Sequence, residues 1–214
     1  MVLHGFWRSS AAWRVRIALN LKGLSAEQIP HHLRRGDQRR PDYLAINPQG
    51  LVPTLVLDDG QRLTQSLAIC EWLDETHPEP ALLPDGALDR ARVRAFALAI
   101  ACDIHPVQNL RVLRRLRALG HDQAAIDTWA REVIADGLAA CAALVPEGDE
   151  FLFGTAPTLA EICLVPQLGN ARRFGVGLDA YPRLLAAEAA CRALPAFAAA
   201  EPERQADAEV SAGT

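Results

Sequence analysis

Val2-Leu3-His4-Gly5-Phe6-Trp7-Arg8-Ser9-Ser10 stands near the start of the chain, and Ala11, Val15, Ala18 and Leu19 follow it at helical spacing. Val2 and Leu3 form a short apolar run suited to a buried strand. Ser9 and Ser10 offer hydroxyls to the first free N–H groups of a helix, which Gly23 then closes. Working outward, Glu27 to Leu33 reads as a second strand. Thr54–Leu57 and Arg62–Thr64 flank Asp58-Asp59-Gly60, a hairpin signal. Ser66 reads as the cap of a further helix running to about Thr76. The order is β-α-β, a short helical stretch, then β-β-α. A crossover makes the first strand pair parallel, and a hairpin makes the last pair antiparallel. That is a thioredoxin-like plan of the α/β class within residues 1–80.

The text then changes. His77 to Pro84 carries Pro78, Pro80 and Pro84 and reads as a linker. Beyond it, alanine-rich helical segments are expected near 88–118 and 122–145. His105-Pro106 should kink the first of these, because Pro106 lacks an N–H. Thr158-Leu159-Ala160-Glu161 is a capping box opening a helix through Phe174, and another helix follows Pro182. The expectation is an all-helical second domain over 87–200. The tail over 201–214 is polar and small and is expected to be disordered.

Half of the 214 residues are apolar, yet no apolar run reaches membrane-spanning length. A net charge of −4 argues against a general nucleic-acid binder, which needs a basic surface. Met1 to Ser10 carry no export pattern. The five cysteines are scattered with no C-x-x-C pair, so neither a disulfide framework nor a metal site is expected, and a cytoplasmic setting fits. Lys22 is the only lysine, the other cations being arginine. That bias has two readings: genome base composition, or arginines that receive carboxylates bidentately.

Thioredoxin-like domains show their chemistry where the first strand meets the first helix, and here that place holds Arg8-Ser9-Ser10-Ala11 with no cysteine. Hydroxyls at a helix N-terminus suit an anion. Lowering a thiol pKa by about two units takes roughly 2.7 kcal/mol. A helix end gives ~0.3–1 kcal/mol, or ~2 when partly buried. A hydroxyl bonded to charged sulfur adds ~1.5–3 kcal/mol. Helix end and serine together suffice for a thiolate brought in by a ligand; plain capping is the alternative.

Val52-Pro53 precedes a strand: Pro53 reads either as an ordinary strand-opening residue or as a cis proline, and a cis bond would turn the Val52 backbone outward to pair with an extended peptide. Gln65-Ser66 starts the next helix, where exposed N–H groups and the Ser66 hydroxyl suit a carboxylate, a plain N-cap again being the alternative. Together these features describe a site for a peptide with a thiol at one end and a carboxylate at the other.

Phe6-Trp7-Arg8-Ser9-Ser10-Ala11-Ala12-Trp13-Arg14-Val15-Arg16-Ile17-Ala18-Leu19 resembles the signature segment of zeta-class glutathione transferases. Asn47-Pro48-Gln49-Gly50-Leu51-Val52-Pro53 and Gln65-Ser66-Leu67-Ala68-Ile69 resemble the family's next two blocks. The likeness continues through Asp103 to Leu113 and from Pro157-Thr158-Leu159-Ala160-Glu161 to Arg172-Arg173-Phe174. Within the family it is greatest to bacterial maleylacetoacetate isomerases.

The resemblance implies the glutathione transferase fold, a homodimer, and glutathione as cofactor. Ser9 would contact the sulfur with Ser10 beside it. Ala11 stands where Ser-Ser-Cys is commoner, which removes a role for a protein thiol there. Gln38, Val52 with Pro53, Gln65 and Ser66 would hold the tripeptide, and Ala11, Arg14, His105, Asn109 and Arg111 complete the implied cofactor set. Arg8, Arg111 and Arg173 are the implied receivers of substrate carboxylates. A structural role for His105 is the competing reading. The implied reaction is cis–trans isomerisation of maleylacetoacetate to fumarylacetoacetate in tyrosine and phenylalanine (homogentisate) breakdown. Maleylpyruvate isomerisation in gentisate degradation, conjugation or dehalogenation of small halo acids, and a non-catalytic glutathione-binding stress protein are the alternatives.

Overall fold

A computed structural model of the chain describes residues 1–209. Two compact units result: Met1–Leu82 together with the segment from Ala193, and Leu83–Arg192.

The first unit is built on a four-stranded sheet, β1 (Val2–Gly5), β2 (Glu27–Pro30), β3 (Thr54–Val56) and β4 (Arg62–Thr64), in the order β2-β1-β3-β4. β1 and β2 are parallel, and both other pairings are antiparallel, as the crossover and hairpin require. β2 is shorter than the expected Glu27–Leu33. His31 N–H still donates to Gly5 O at 2.7 Å, but β1 ends at Gly5, so the later residues have no partner strand.

Helix α1 (Ser10–Leu21) crosses the sheet, followed after β2 by the single turn α2 (Pro41–Leu44). Helix α3 (Ser66–Thr76) packs against α1. Leu3, Leu55, Val15, Ile17, Ile69 and Leu73 are wholly buried between these layers. Gly23, at φ 65°, ends α1 where only glycine adopts the left-handed turn freely. The N-cap of α3 is Gln65 rather than Ser66, which is the first helical residue and makes no capping bond there. The lone lysine is structural. Lys22 Nζ donates to Asp74 Oδ1 at 2.7 Å and to Pro80 O, tying the ends of α1 and α3 to the linker.

α1 is buried from Ser10 to Leu19 on every face, not on one face only. The reason lies near the chain's far end, where a short helix, Pro195–Ala199, returns to pack against α1. Arg16 Nε donates to Ala200 O at 3.2 Å, and Asn20 Nδ2 to Ala196 O at 2.9 Å. Residues 193–200, expected with the helical domain, therefore belong with the sheet. The tail from Glu201, expected to be disordered, is held as far as Glu209. A turn at Pro202–Arg204 precedes Asp207, whose Oδ2 accepts the Trp7 N–H at 3.0 Å, and Glu209 pairs with His32 at 3.0 Å. Residues 210–214 lie outside the described residues.

The second unit comprises α4 (Ala87–Leu98), α5 (Leu110–Ala118), α6 (Gln123–Leu144), α7 (Leu159–Arg173) and α8 (Pro182–Arg192); the Pro195–Ala199 helix of the first unit is α9. The expected helix over 88–118 is broken, not merely kinked. α4 passes into a π-helical stretch, Ala99–Ile104, where His105 N–H reaches Ile100 O. Pro106 cannot extend that ladder, and Asn109 restarts the helix by accepting Arg111 N–H. The capping box opens α7 as expected. Glu161, wholly buried, accepts N–H bonds from Thr158 at 2.7 Å and Leu152 at 2.6 Å, and burial raises its carboxyl above the ordinary range.

Candidate functional site

Sheet register explains why distant motifs meet in the first unit. β1 ends at Gly5 opposite Pro30 of β2, and Thr54, the first residue of β3, lies opposite both His4 and Thr64. The turn after β1, the loop after β2, the residues before β3 and those after β4 therefore leave one end of the sheet. They carry Ser9-Ser10, Gln38, Val52-Pro53 and Gln65-Ser66 respectively.

Ser9 is the N-cap of α1, with extended φ and ψ, and its Oγ accepts Ala12 N–H at 3.2 Å. Capping uses a lone pair of the oxygen and leaves its proton to donate, so the cap is compatible with either reading of this serine. Ser9 is half-buried, and Ser10 and Ala11 are buried as the first turn of α1. The turn is clamped on both sides of Trp7: Arg16 Nη2 donates to Trp7 O at 3.1 Å, while Asp207 receives its N–H. Arg8, an expected carboxylate receiver, lies with its guanidinium 5.2 Å from the Trp7 ring centroid. Burial, then the charge of Arg34, lowers its pKa.

Val52-Pro53 is a cis peptide bond. β3 begins at Thr54, so Val52 lies outside the sheet ladder. The preceding loop is fastened by buried polar groups the sequence did not mark out. Tyr43 Oη donates to Leu51 O at 2.6 Å, and Asn47 Nδ2 donates to Leu51 O at 2.8 Å and to Thr54 Oγ1 at 3.1 Å. Asn47 opens the Asn47–Pro53 segment, and nothing in the residue pattern there marks its burial. Gln38 is buried in a 3-10 turn; its Nε2 donates to Leu33 O, and its Oε1 has no hydrogen-bond partner.

Gln65 is the one described non-glycine residue with positive φ, at 68°. Backbone of this kind costs about 1–3 kcal/mol and is held only by its surroundings. Gln65 Nε2 donates to Gln49 Oε1 at 3.0 Å. Ser66 is buried, and its Oγ accepts from Nη1 of Arg14 at 3.3 Å.

The remaining expected residues lie in the second unit. His105 and Asn109 approach each other at 3.5 Å between Nε2 and Nδ2, and Arg111 is exposed on the first turn of α5. Asn109 is committed to the α5 cap, a structural task that sequence reasoning did not assign. Arg173 is on the last turn of α7, with its guanidinium 5.8 Å from the Phe174 ring centroid.

This arrangement has clear counterparts. Residues 8–76 match the model of the glutathione S-transferase N-terminal domain, and residues 111–187 match that of the C-terminal domain. A maleylacetoacetate isomerase of Pseudomonas aeruginosa is 48% identical over 97% of this chain and 98% of its own length. A holo structure of maleyl pyruvate isomerase, described as a bacterial glutathione S-transferase of the zeta class, superposes with a TM-score of 0.94. It is 47% identical and covers 98% of this chain and 100% of its own. The chain belongs to the zeta-class glutathione transferase family. A maleylacetoacetate isomerase from Anaeromyxobacter dehalogenans, solved with glutathione in its active site, is 48% identical with a TM-score of 0.87, covering 97% of this transferase and 98% of its own chain.

Proposed function

We propose that this transferase isomerises maleylacetoacetate to fumarylacetoacetate with glutathione as cofactor. The single observation that carries the reading is the convergence of Ser9, Val52-Pro53 and Gln65-Ser66 at one end of the sheet in a chain 48% identical to a maleylacetoacetate isomerase. The residues fit a tripeptide. Gln38 Oε1 is a buried acceptor without a partner, Val52 stands outside the ladder, and the start of α3 offers unpaired N–H groups beside Ser66.

When bound, glutathione would supply a thiolate that adds to the conjugated cis double bond, the displaced electron pair passing into the neighbouring carbonyl; the bond, now single, can rotate, and expulsion of the thiolate restores it as the trans double bond. Ser9 Oγ–H donates to the sulfur, and the N-terminal N–H groups of α1 favour its negative charge. Ser10, Ala11 and Gln38 line the same end of the sheet. Val52 pairs with the cysteinyl backbone of the tripeptide, Pro53 sets the direction of that backbone, and Gln65 and Ser66 hold the γ-glutamyl carboxylate. His105 and Asn109 are assigned to cofactor contact in the same proposal, and Arg8, Arg111 and Arg173 to the substrate carboxylates.

A second reading, isomerisation of maleylpyruvate, is supported by the 47% identity to the maleyl pyruvate isomerase. Turnover of the two maleyl acids by the purified protein separates them: the proposal expects the higher kcat/KM with maleylacetoacetate. Ser9→Ala should lower kcat by a factor of about 100 or more, the loss expected for one donor to a developing charge. An unchanged kcat removes Ser9 from its role. The proposal extends to a homodimer in the cytoplasm; among the described residues no helix is long and apolar enough to cross a membrane. Sedimentation at micromolar concentration tests the dimer.

A further inference from the structure

Ser9 enters α1 from a tight turn. Its N–H donates to Phe6 O at 2.9 Å, which makes Trp7 and Arg8 the central residues and the peptide between them the middle of the turn. A middle peptide can flip between turn types unless something holds it, and a flip re-aims the residues on either side. Here Trp7 is held at both backbone groups. Arg16 Nη2 donates to Trp7 O at 3.1 Å, and Asp207 Oδ2 accepts Trp7 N–H at 3.0 Å.

Both holds depend on the segment after α9. Arg16 is 5% exposed, and its Nε donates to Ala200 O at 3.2 Å. Its hydrogen bonds run to two carbonyl oxygens. Burial lowers the guanidinium to about 10, and the charges of Asp207 and Glu203 act against that. Asp207 therefore accepts the Trp7 N–H and also balances the cation that holds the Trp7 carbonyl. Residues 205–209 form no helix or strand, and Ala206 is exposed, so apolar burial does not place them. Ordering such a segment costs about 1–2 kcal/mol per residue in backbone entropy. Its carboxylates hold it: Asp207 at Trp7, and Glu209 at His32 and Arg35.

We propose that Asp207 is a positioning residue for the isomerisation: by locking the Phe6–Ser9 turn, it aims the Ser9 hydroxyl and the first N–H groups of α1 together at the glutathione sulfur. The inference rests on the glutathione reading, in which Ser9 Oγ–H donates to that sulfur. Asp207 touches neither cofactor nor substrate in this account. Its negative charge alone would oppose a thiolate, but Arg16 offsets it, so what Asp207 contributes at the sulfur is geometry. Misplacing a reacting group by ~1 Å can cost as much as a hundredfold in rate.

The test titrates the thiol of glutathione bound to the full chain, read by the ultraviolet absorbance of the thiolate, beside steady-state isomerisation of maleylacetoacetate. Asp207→Ala is expected to raise the apparent pKa of the bound thiol by about one pH unit, a loss of about tenfold in thiolate at lower pH. There kcat should fall about threefold or more, since the more basic thiolate is also the stronger nucleophile and offsets part of the loss. Asp207→Asn keeps an acceptor for the Trp7 N–H and should recover most of both losses. Glu209→Ala frees His32 and Arg35 but leaves Trp7 held, and should not raise the thiol pKa. An unraised thiol pKa in Asp207→Ala, or an equal rise in Glu209→Ala, overturns the inference and leaves the tail a stabilising strap, even where the urea midpoint falls. If Asp207→Ala does not fold, Asp207→Ser takes its place with the same two outcomes, its oxygen being one bond too short for the Trp7 N–H. A wild-type chain whose bound glutathione titrates like the free tripeptide overturns the Ser9 reading itself.

Discussion

Gly50 and Gln38 touch through their backbones. A Cβ at Gly50 would stand 2.9 Å from the Gln38 carbonyl oxygen, and Gly50 sits at φ 59°. This contact seats the loop before Val52 against the turn that carries Gln38. Gly50→Ala pays both for the left-handed backbone and for the clash, together about 1–3 kcal/mol. Because the displaced elements are assigned to the tripeptide, KM for glutathione should rise severalfold while kcat stays near the wild-type value. Steady-state kinetics with varied glutathione checks the split.

Gly137 and Ile104 bring α6 against the π-helical stretch. A Cβ on Gly137 would fall well inside van der Waals contact of Ile104 Cγ1 and Cδ1, and Ile104 is buried. Alanine favours a helix by about 1 kcal/mol over glycine, while overpacking costs ~1–3 kcal/mol. Gly137→Ala should therefore destabilise the chain by about 1 kcal/mol in urea titrations. Ile104→Val in the same chain should recover part of that loss, a coupling that independent sites do not show.

His4 Nδ1 and His31 Nε2 lie 2.9 Å apart, so one of the two must accept the other's proton. Burial lowers both pKa values; His31 and Arg62 lower His4 further, whereas Asp37 and Asp42 partly restore His31. The folded state thus binds fewer protons than the unfolded state below the ordinary histidine range, near 6.5. Their contribution to stability is present above that pH and is lost as pH falls through the depressed values. Urea midpoints should fall from pH 7.5 to pH 5.5, and His31→Gln should flatten that slope.

The parts of the site that were legible in the sequence are those set by short segments. Ser9 caps a helix because a hydroxyl precedes an apolar helical pattern, and Asp58-Asp59-Gly60 closes a hairpin because glycine takes φ 85° there. Val52-Pro53 and Gln65-Ser66 could be placed together once the strand order was known. What escaped was set by residues far apart in the chain. Nothing near Arg16 announces that Ala200 and Trp7 will share it, and nothing near Asp207 announces a bond to Trp7. Low hydrophobicity after Glu201 suggested disorder, yet a proline turn and two carboxylates suffice to hold that segment. The break at His105-Pro106 was visible, but not its depth, because a π-helical turn leaves no mark in hydrophobic spacing.

The central claim is that the reactive sulfur belongs to the cofactor: Ser9-Ser10-Ala11 offers none, Cys70, Cys141, Cys163 and Cys191 are buried, and the exposed Cys102 belongs to the π-helical stretch Ala99–Ile104 of the second unit. Isomerisation of maleylacetoacetate, followed with the purified chain before and after glutathione is added, tests it most directly. The account predicts turnover only with glutathione present and no net consumption of it. An equal rate without glutathione would contradict the account.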